Sequence, residues 1–208
     1  GKTDALQNLV TGQGYSGDDQ TYDDEQNANL IRVIDRRKGL PVSLAILLIH
    51  TAETVGWRVV GLSFPYHFLI RLDHDNERVV IDPFNAGAAL TTPKMRDLLK
   101  SFDDDADLRP EHYQPVSKRD VLLRLQNNMK SRAVQQRRFD RAADLLERMV
   151  LFAPGEAALW RELGVLQVAC GRVKDAVSSA EQYYGMAGNE EQRHDAAMLV
   201  QKIKSRLN

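Results

Sequence analysis

Hydrophobic and polar positions change their period twice along the chain. Apolar residues recur at helical spacing up to Val55, form short runs with the period of a β-strand up to Ile81, and return to helical spacing after Lys118. The pattern predicts an α+β fold with a small antiparallel sheet, followed by an all-α region. We place the boundary between two domains, 1–117 and 118–208, at the second change.

The first domain is predicted to contain three helices, over residues 4–10, 25–37 and 41–55. Gly39 ends the second helix, and Pro41 suits the first turn of the third because its missing N–H costs no hydrogen bond there. The third helix is apolar on almost every side. We therefore expect it to be the central buried helix of this domain.

Three strands are predicted to follow, from the runs "WRVVGLSF", "HFLIRL" and "RVVI", with "DHDN" as the turn between the last two. If Leu72 faces Glu77, the antiparallel register sets His67 directly opposite Asp82. Directly opposed residues share a face with their Cβ atoms ~5 Å apart, which permits an imidazole–carboxylate hydrogen bond. The alternative is that His67 caps a strand end and Asp82 opens a turn.

The C-terminal region shows a tetratricopeptide pattern in "FDRAADLLERMVLFAPGEAALWRELGVLQVACGRVKDAV". The positions that match the repeat are Trp160, Leu163 and Gly164 at its opening, Gly171 at its turn, Ala176 and Ala180 as packing residues, and Pro154 before it. A weaker copy begins near Leu123, and a last helix is expected over 190–207. Two units are fewer than the three or so that an independent solenoid needs, so we expect the repeats to pack on the first domain.

Charge and composition narrow the functional classes. The net charge of -1 gives no global attraction to nucleic acid or to an anionic membrane, and the basic segment 118–138 is explained by a solvated helix face, which leaves nucleic-acid contact as a weaker option. The apolar run at 40–49 is shorter than the ~20 residues of a membrane span, and no signal-peptide pattern opens the chain. The single cysteine, Cys170, excludes an intramolecular disulfide and a cysteine-based metal cluster. We expect a cytoplasmic protein with no cofactor, no metal and no membrane contact.

A family resemblance is carried by "NANLIRVIDRRKGLPVSL", "GLSFPYHFLIR" and "IDPFNAG". The order of buried helix, strand, His and Asp resembles the transglutaminase-like (papain-like) fold. Together with the repeats, it resembles the SirB family of bacterial proteins over most of the chain. The resemblance implies that His67 and Asp82 correspond to the family's histidine and aspartate.

The same resemblance locates the position of the superfamily's nucleophilic cysteine. That cysteine lies two residues after a glycine, four before an alanine and fifteen before a glycine that ends its helix. Gly39, Ala45 and Gly56 match these markers, so Pro41 takes the place of the cysteine. Proline has no nucleophilic atom, and acyl-enzyme chemistry cannot start from this position.

No other residue is a convincing replacement for the missing thiol. Ser43 is close, but two positions along a helix rotate a side chain by ~200°, so it should point away from the direction of the missing thiol. We expect its hydroxyl to bond backbone N–H groups of the first turn. Cys170 lies among apolar residues and is expected to be inert. The sequence therefore favours a pseudoenzyme that binds a protein partner, with a regulatory role and with its oligomeric state open. The alternative is a hydrolase or acyltransferase that uses His67 and Asp82 with Ser43 or water.

Overall fold

The computed structural model describes residues 1–74 and 77–205. The chain divides into two compact units, Gly1–Leu125 and Gln126–Asn208. Asp75 and Asn76 of the predicted turn, and Leu207 of the predicted last helix, lie outside the described residues.

The α-helices in the described part of the chain are α1 (Lys2–Gly12), α2 (Leu30–Arg36), α3 (Pro41–Thr54), α4 (Thr92–Lys100), α5 (Lys118–Gln135), α6 (Phe139–Phe152), α7 (Ala157–Ala169), α8 (Val173–Gly185) and α9 (Glu190–Lys204). The strands are β1 (Ser16–Gly17), β2 (Lys38–Gly39), β3 (Arg58–Leu62), β4 (Ile70–His74), β5 (Glu77–Asp82), β6 (Ala88–Leu90) and β7 (Pro115–Val116). Short 3₁₀ helices cover Glu25–Ala28 and Pro110–Tyr113.

The first unit is built around a five-stranded sheet with the order β6-β5-β4-β3-β7, in which every neighbouring pair is antiparallel. A separate parallel pair joins β1 to β2, directly before α3. The first five residues of α3 are buried, and the helix ends just before Gly56, whose φ of 73° is in the left-handed region that favours glycine. The expectation of a central buried helix is confirmed.

The predicted helix over 25–37 is interrupted at Asn29. The side chain of Asn29 accepts hydrogen bonds from the backbone N–H of Ile31 at 3.1 Å and of Arg32 at 3.4 Å. It therefore caps α2 at its N-terminus, as a short polar side chain does well, and a 3₁₀ turn precedes it.

The predicted strand register is wrong by two residues. Leu72 faces Val79 and not Glu77, and β4 begins at Ile70, so His67 precedes the strand instead of lying on it. A shift of two residues preserves the face of every side chain, because successive side chains alternate between the two faces. His67 and Asp82 consequently meet diagonally and not directly across the sheet.

The polar segment after α4 belongs to the core of the first unit. Ala106, Leu108 and Tyr113 pack against the buried cluster that contains Phe64 and Leu99. The segment ends in β7, which pairs with β3 at the edge of the sheet. Sequence pattern had indicated only a polar linker, because alternating hydrophobicity cannot reveal a two-residue strand that contains proline.

The second unit consists of antiparallel helices packed in the manner of the predicted repeats. Ala176 and Ala180 of α8 are fully buried, and so are Ala142 and Leu146 of α6, which occupy the equivalent positions of the weaker copy. Gly171 turns the chain between α7 and α8 with a φ of 75°. None of the helices in residues 1–74 and 77–205 combines the length and apolarity that a membrane crossing requires.

Candidate functional site

The His67–Asp82 pair is the centre of the candidate site. Nε2 of His67 lies 2.8 Å from Oδ1 of Asp82, and the two side chains are 8% and 1% exposed. The carboxylate of Asp82 also accepts hydrogen bonds from the backbone N–H of Phe84 at 2.9 Å and from Nδ2 of Asn85 at 2.6 Å. The end of β5 and the turn after it therefore hold Asp82 in one orientation toward the imidazole ring.

Asp82 is ionised at neutral pH. Burial acts to raise its pKa, but hydrogen bonding and charge interaction with His67, together with the bonds from Asn85 and Phe84, outweigh burial and hold the pKa below its usual value. An ionised carboxylate can only accept hydrogen bonds, so Nε2 of His67 carries the shared hydrogen. In the neutral ring, Nδ1 is then the free acceptor.

Nδ1 of His67 is the atom of the pair that an incoming group would meet. Within the described residues, Nδ1 has no hydrogen-bond partner. It is not fully buried, so it reaches solvent. A base that is oriented by a carboxylate and open on its other nitrogen has the arrangement of a general base.

A strained turn presents His67. Its backbone N–H donates to the carbonyl oxygen of Pro65 at 2.7 Å, which closes a γ-turn with Tyr66 at its centre. Tyr66 has a φ of 61°, so the turn is of the rare class with positive φ. Such conformations persist only where the surrounding contacts impose them, and they are concentrated at functional sites.

Aromatic rings enclose the histidine. Phe84 meets the His67 ring edge-on at 6.0 Å between centroids, and Phe102 stacks on it at 6.2 Å. Tyr66 stacks in turn on Phe102 at 5.8 Å, and its hydroxyl donates to Oδ2 of Asp103 at 3.1 Å. Tyr66 and Phe102 remain 53% and 50% exposed, so the outer side of the enclosure is an aromatic surface.

Ser43 does not make the contact that was predicted for it. Its Oγ donates to the backbone carbonyl of Asn27 at 2.6 Å, instead of accepting from N–H groups in the first turn of α3. The same carbonyl accepts from the N–H of Leu40 at 3.1 Å, and Ser43 is completely buried. The hydroxyl joins the start of α3 to the 3₁₀ helix Glu25–Ala28.

A charged network with buried members fixes the position of this 3₁₀ helix. The guanidinium of Arg36 donates to Oδ2 of Asp18 at 2.8 Å and to Oδ1 of Asn27 at 3.0 Å. Burial opposes ionisation of Asp18, but hydrogen bonds from Thr21 and Arg36 outweigh it and lower its pKa to about 2. The network therefore fixes Asn27, whose main-chain carbonyl accepts the hydrogen bonds from Ser43 and Leu40.

Gly17 links the start of α3 to the aromatic enclosure. It pairs with Gly39 in the parallel β1–β2 bridge, directly before Leu40, and its N–H donates to the carbonyl of Phe84 at 3.0 Å. A Cβ atom on Gly17 would lie 2.4 Å from the Phe84 ring. The helix start that carries Pro41 is thus tied to the ring that borders His67.

Sequence reasoning identified the pair but missed its surroundings. Phe84 and Asn85 follow Asp82 in "IDPFNAG", so their proximity in sequence was an available signal. Tyr66 precedes His67 in the same way, whereas nothing in the sequence pointed to Phe102. The structure describes Cys170 in the second unit, where burial and the carboxylate of Asp140 raise the thiol pKa to about 11. At this pKa the thiol is protonated at neutral pH and is a poor nucleophile.

The sequence of the first unit matches a family model. Residues 2–127 match the model of the transglutaminase-like superfamily. The chain belongs to this superfamily. Residues 129–204 match the model of the tetratricopeptide repeat, so both the predicted fold class and the predicted repeats are confirmed.

The similar proteins come from bacteria. A UPF0162 protein of Xylella fastidiosa is 33% identical over 175 residues, which are 82% of this chain and 62% of the relative. A UPF0162 protein of Vibrio cholerae is 31% identical over 163 residues, which are 77% of this chain and 60% of the relative. Protein SirB1 of Salmonella typhimurium is 26% identical over 148 residues, which are 69% of this chain and 55% of the relative.

These matches confirm the SirB-family assignment that the sequence motifs indicated. The chain spans about three fifths of the length of the first two relatives. No solved structure matches it.

Proposed function

We propose that this chain is a non-catalytic transglutaminase-like protein with a regulatory role, which acts by binding a protein partner in the cytoplasm. One observation carries the proposal: the His67–Asp82 pair is present without a nucleophile. Pro41 stands at the position that the family resemblance gives to the cysteine, and it has no atom that can attack a carbonyl.

The serine alternative has little support. Ser43 is buried, and its hydroxyl hydrogen is donated to the carbonyl of Asn27. Activation by His67 would require this bond to break and would leave a buried carbonyl with one donor fewer, at a cost of ~1 kcal/mol or more.

The repeats supply the surface on which the partner is proposed to bind. An open groove of about 660 Å³ lies between α8 and α9, with Tyr184, Val200 and Lys204 among its lining residues. Tyr184 is 45% exposed, and an exposed tyrosine beside apolar and charged groups is typical of protein interfaces.

Nucleic acid is a less suitable partner, because several basic side chains of 118–138 are already paired. Lys118 pairs with Glu53 at 2.8 Å, and the buried Lys130 pairs with Glu162 at 2.6 Å. The single cysteine, Cys170, is in keeping with a reducing compartment such as the cytoplasm.

A water-using hydrolase is the second candidate, and the open Nδ1 of His67 is the observation that favours it. Together with the ionised Asp82, the imidazole is able to take a proton from water, which contributes ~10²–10⁴-fold to a suitable reaction. This route needs neither Pro41 nor Ser43.

A panel of amide and ester substrates separates the candidates when it is tested with the wild type, His67→Ala and Ser43→Ala. We expect no turnover by any of the three. Turnover that only His67→Ala abolishes would establish the water route, and turnover that both variants abolish would make Ser43 the nucleophile.

Partner binding is tested by in-cell cross-linking followed by mass spectrometry. We expect one set of partners to be captured by the wild type and to be lost with Tyr184→Ala. Capture that is unchanged in Tyr184→Ala would exclude the α8–α9 groove as the binding surface.

A further inference from the structure

The outer face of the site combines an aromatic surface, an acidic loop and the open nitrogen atom of His67. We call Tyr66, His67 and Phe102 the aromatic edge, and residues 103–107 the acidic loop. Phe102 stacks on both Tyr66 and His67, and the side chains of Tyr66 and Phe102 are about half exposed. The acidic loop follows Phe102 directly and carries four carboxylates, from Asp103, Asp104, Asp105 and Asp107.

The charge of the acidic loop is largely unneutralised. Asp103 accepts a hydrogen bond from the hydroxyl of Tyr66, and this bond places the acidic loop against the aromatic edge. Asp104, Asp105 and Asp107 are exposed, and in the described part of the chain their side chains form neither an ion pair nor a hydrogen bond. The nearest basic residues in sequence are Lys100 and Arg109. These two do not balance four carboxylates, and Arg109 already pairs with Glu111 at 3.6 Å.

The buried histidine provides an independent third element. Its side chain is more than nine-tenths buried, but its Nδ1 atom reaches solvent. Because Nε2 is engaged by Asp82, Nδ1 is an acceptor that lacks a donor. The combination of aromatic faces, carboxylates and one solvent-accessible acceptor is complementary to a planar cation with several N–H groups.

We propose that the aromatic edge and the acidic loop bind an arginine-containing basic segment of a partner protein. The guanidinium stacks on the face of Tyr66 that is turned away from Phe102, as guanidinium groups do on aromatic faces. The exposed carboxylates neutralise its charge, and an N–H group is supplied to Nδ1 of His67. This inference rests on the proposed non-catalytic function, because it assigns to His67 a role in recognition.

Arginine fits better than lysine or a neutral apolar segment. A lysine ammonium is compact and strongly hydrated, so it gains less from contact with an aromatic face. A neutral apolar segment would cover the carboxylates and Nδ1 without supplying donors, and displacing water from an acceptor without replacing its hydrogen bond is costly.

The test is an NMR titration of the complete chain with two short capped peptides. One carries arginine at alternate positions, and the other carries citrulline, which is neutral and nearly isosteric. We expect the arginine peptide to shift the signals of Tyr66, His67 and Phe102, with an affinity that falls as salt is added. The citrulline peptide should bind at least about threefold more weakly, because it lacks the charge.

Variants locate the binding surface. Tyr66→Gly removes the ring while suiting the positive φ, and we expect it to weaken binding about threefold to fivefold. Phe102→Ala, and Asp104→Asn combined with Asp105→Asn, should act similarly. Tyr66→Phe retains the ring and should bind within about twofold of the wild type. The control, Glu191→Gln, lies in the second unit and should leave the affinity unchanged.

The outcomes separate this inference from the proposed function. Equal binding of both peptides, or binding that is indifferent to Tyr66→Gly and Phe102→Ala, overturns the arginine site. Equal binding of spermine overturns the commitment to a protein segment. The mass of the recovered peptide is recorded as well: a cleaved or modified peptide overturns the non-catalytic function, whereas an intact peptide that does not bind overturns only this inference.

Discussion

The hydroxyl of Ser43 lies 2.6 Å from the carbonyl oxygen of Asn27, and both residues are completely buried. The bond joins the 3₁₀ helix before α2 to the first turn of α3. It gives Ser43 a structural role at a helix start where the family resemblance would place a nucleophile two residues earlier.

Replacing Ser43 with alanine should therefore affect stability and not chemistry. The carbonyl of Asn27 retains Leu40 as a donor, so we expect Ser43→Ala to lower the free energy of unfolding by about 1 kcal/mol. Urea unfolding followed by far-ultraviolet circular dichroism measures this loss. Ser101→Ala, which removes an exposed hydroxyl bonded to the carbonyl of Leu98, is the control and should change stability by less than ~0.5 kcal/mol. Equal effects of the two substitutions would contradict the structural role.

Restoring a cysteine tests the position assigned to Pro41. In a Cys170→Ser background, the new thiol of Pro41→Cys is expected to react with iodoacetamide about tenfold faster at neutral pH than an unperturbed thiol, because a helix N-terminus and a nearby histidine favour the thiolate. Mass spectrometry follows the alkylation. His67→Ala should remove most of the acceleration. If the rate is the same with and without His67, the two residues are not neighbours in the manner of the superfamily's site.

Asp18 should contribute to acid sensitivity. Its pKa is about 2 in the folded protein and ~3.9 in an unfolded chain, so its contribution to stability is complete above about pH 4 and is lost as the pH falls toward 2. We expect Asp18→Asn to cost about 2 kcal/mol at neutral pH through the weakened bond to Arg36, and to unfold with a shallower dependence on pH below 4. Chemical denaturation at a series of pH values measures both effects. Asp35→Asn, which removes an exposed carboxylate, should reproduce the wild-type slope.

Gly17→Ala tests the contact between the β1–β2 bridge and Phe84. The added Cβ would lie 2.4 Å from the ring, so the ring must move, and we expect a loss of about 1–3 kcal/mol. The matched control is Gly12→Ala at the end of α1, where no atom lies within 4 Å of the added carbon. A thermal melt that drops for Gly17→Ala and not for Gly12→Ala bears out the contact, whereas equal melting temperatures refute it.

The sequence predicted the His67–Asp82 hydrogen bond despite an incorrect register. The predicted register of β4 and β5 depends on where the turn between them is placed. The face on which each side chain lies depends only on whether its position is odd or even. An error of two residues left that parity intact. The fold class and the repeats were predictable for a related reason, because the spacing of positions such as Ala176 and Ala180 follows from helix geometry itself.

Other parts of the site depend on contacts between distant segments. The γ-turn at Tyr66 has no glycine to announce it and is held by Phe102 and Asp103, which lie far along the chain. The partner of Ser43 was wrong because an N-terminal serine is ordinarily assumed to cap its own helix. Here Asn27 presents a carbonyl that no local rule could place there.

The edge strand β7 has a consequence for synthesis of the protein in the cell. β3 has its neighbour β4 next in sequence, but its other side is completed only by Pro115–Val116. During translation, the sheet therefore keeps one side of β3 unpaired until this segment has left the ribosome. A nascent chain arrested before Pro115 should be recognised by chaperones that bind exposed strand edges, and release should follow once Val116 has emerged.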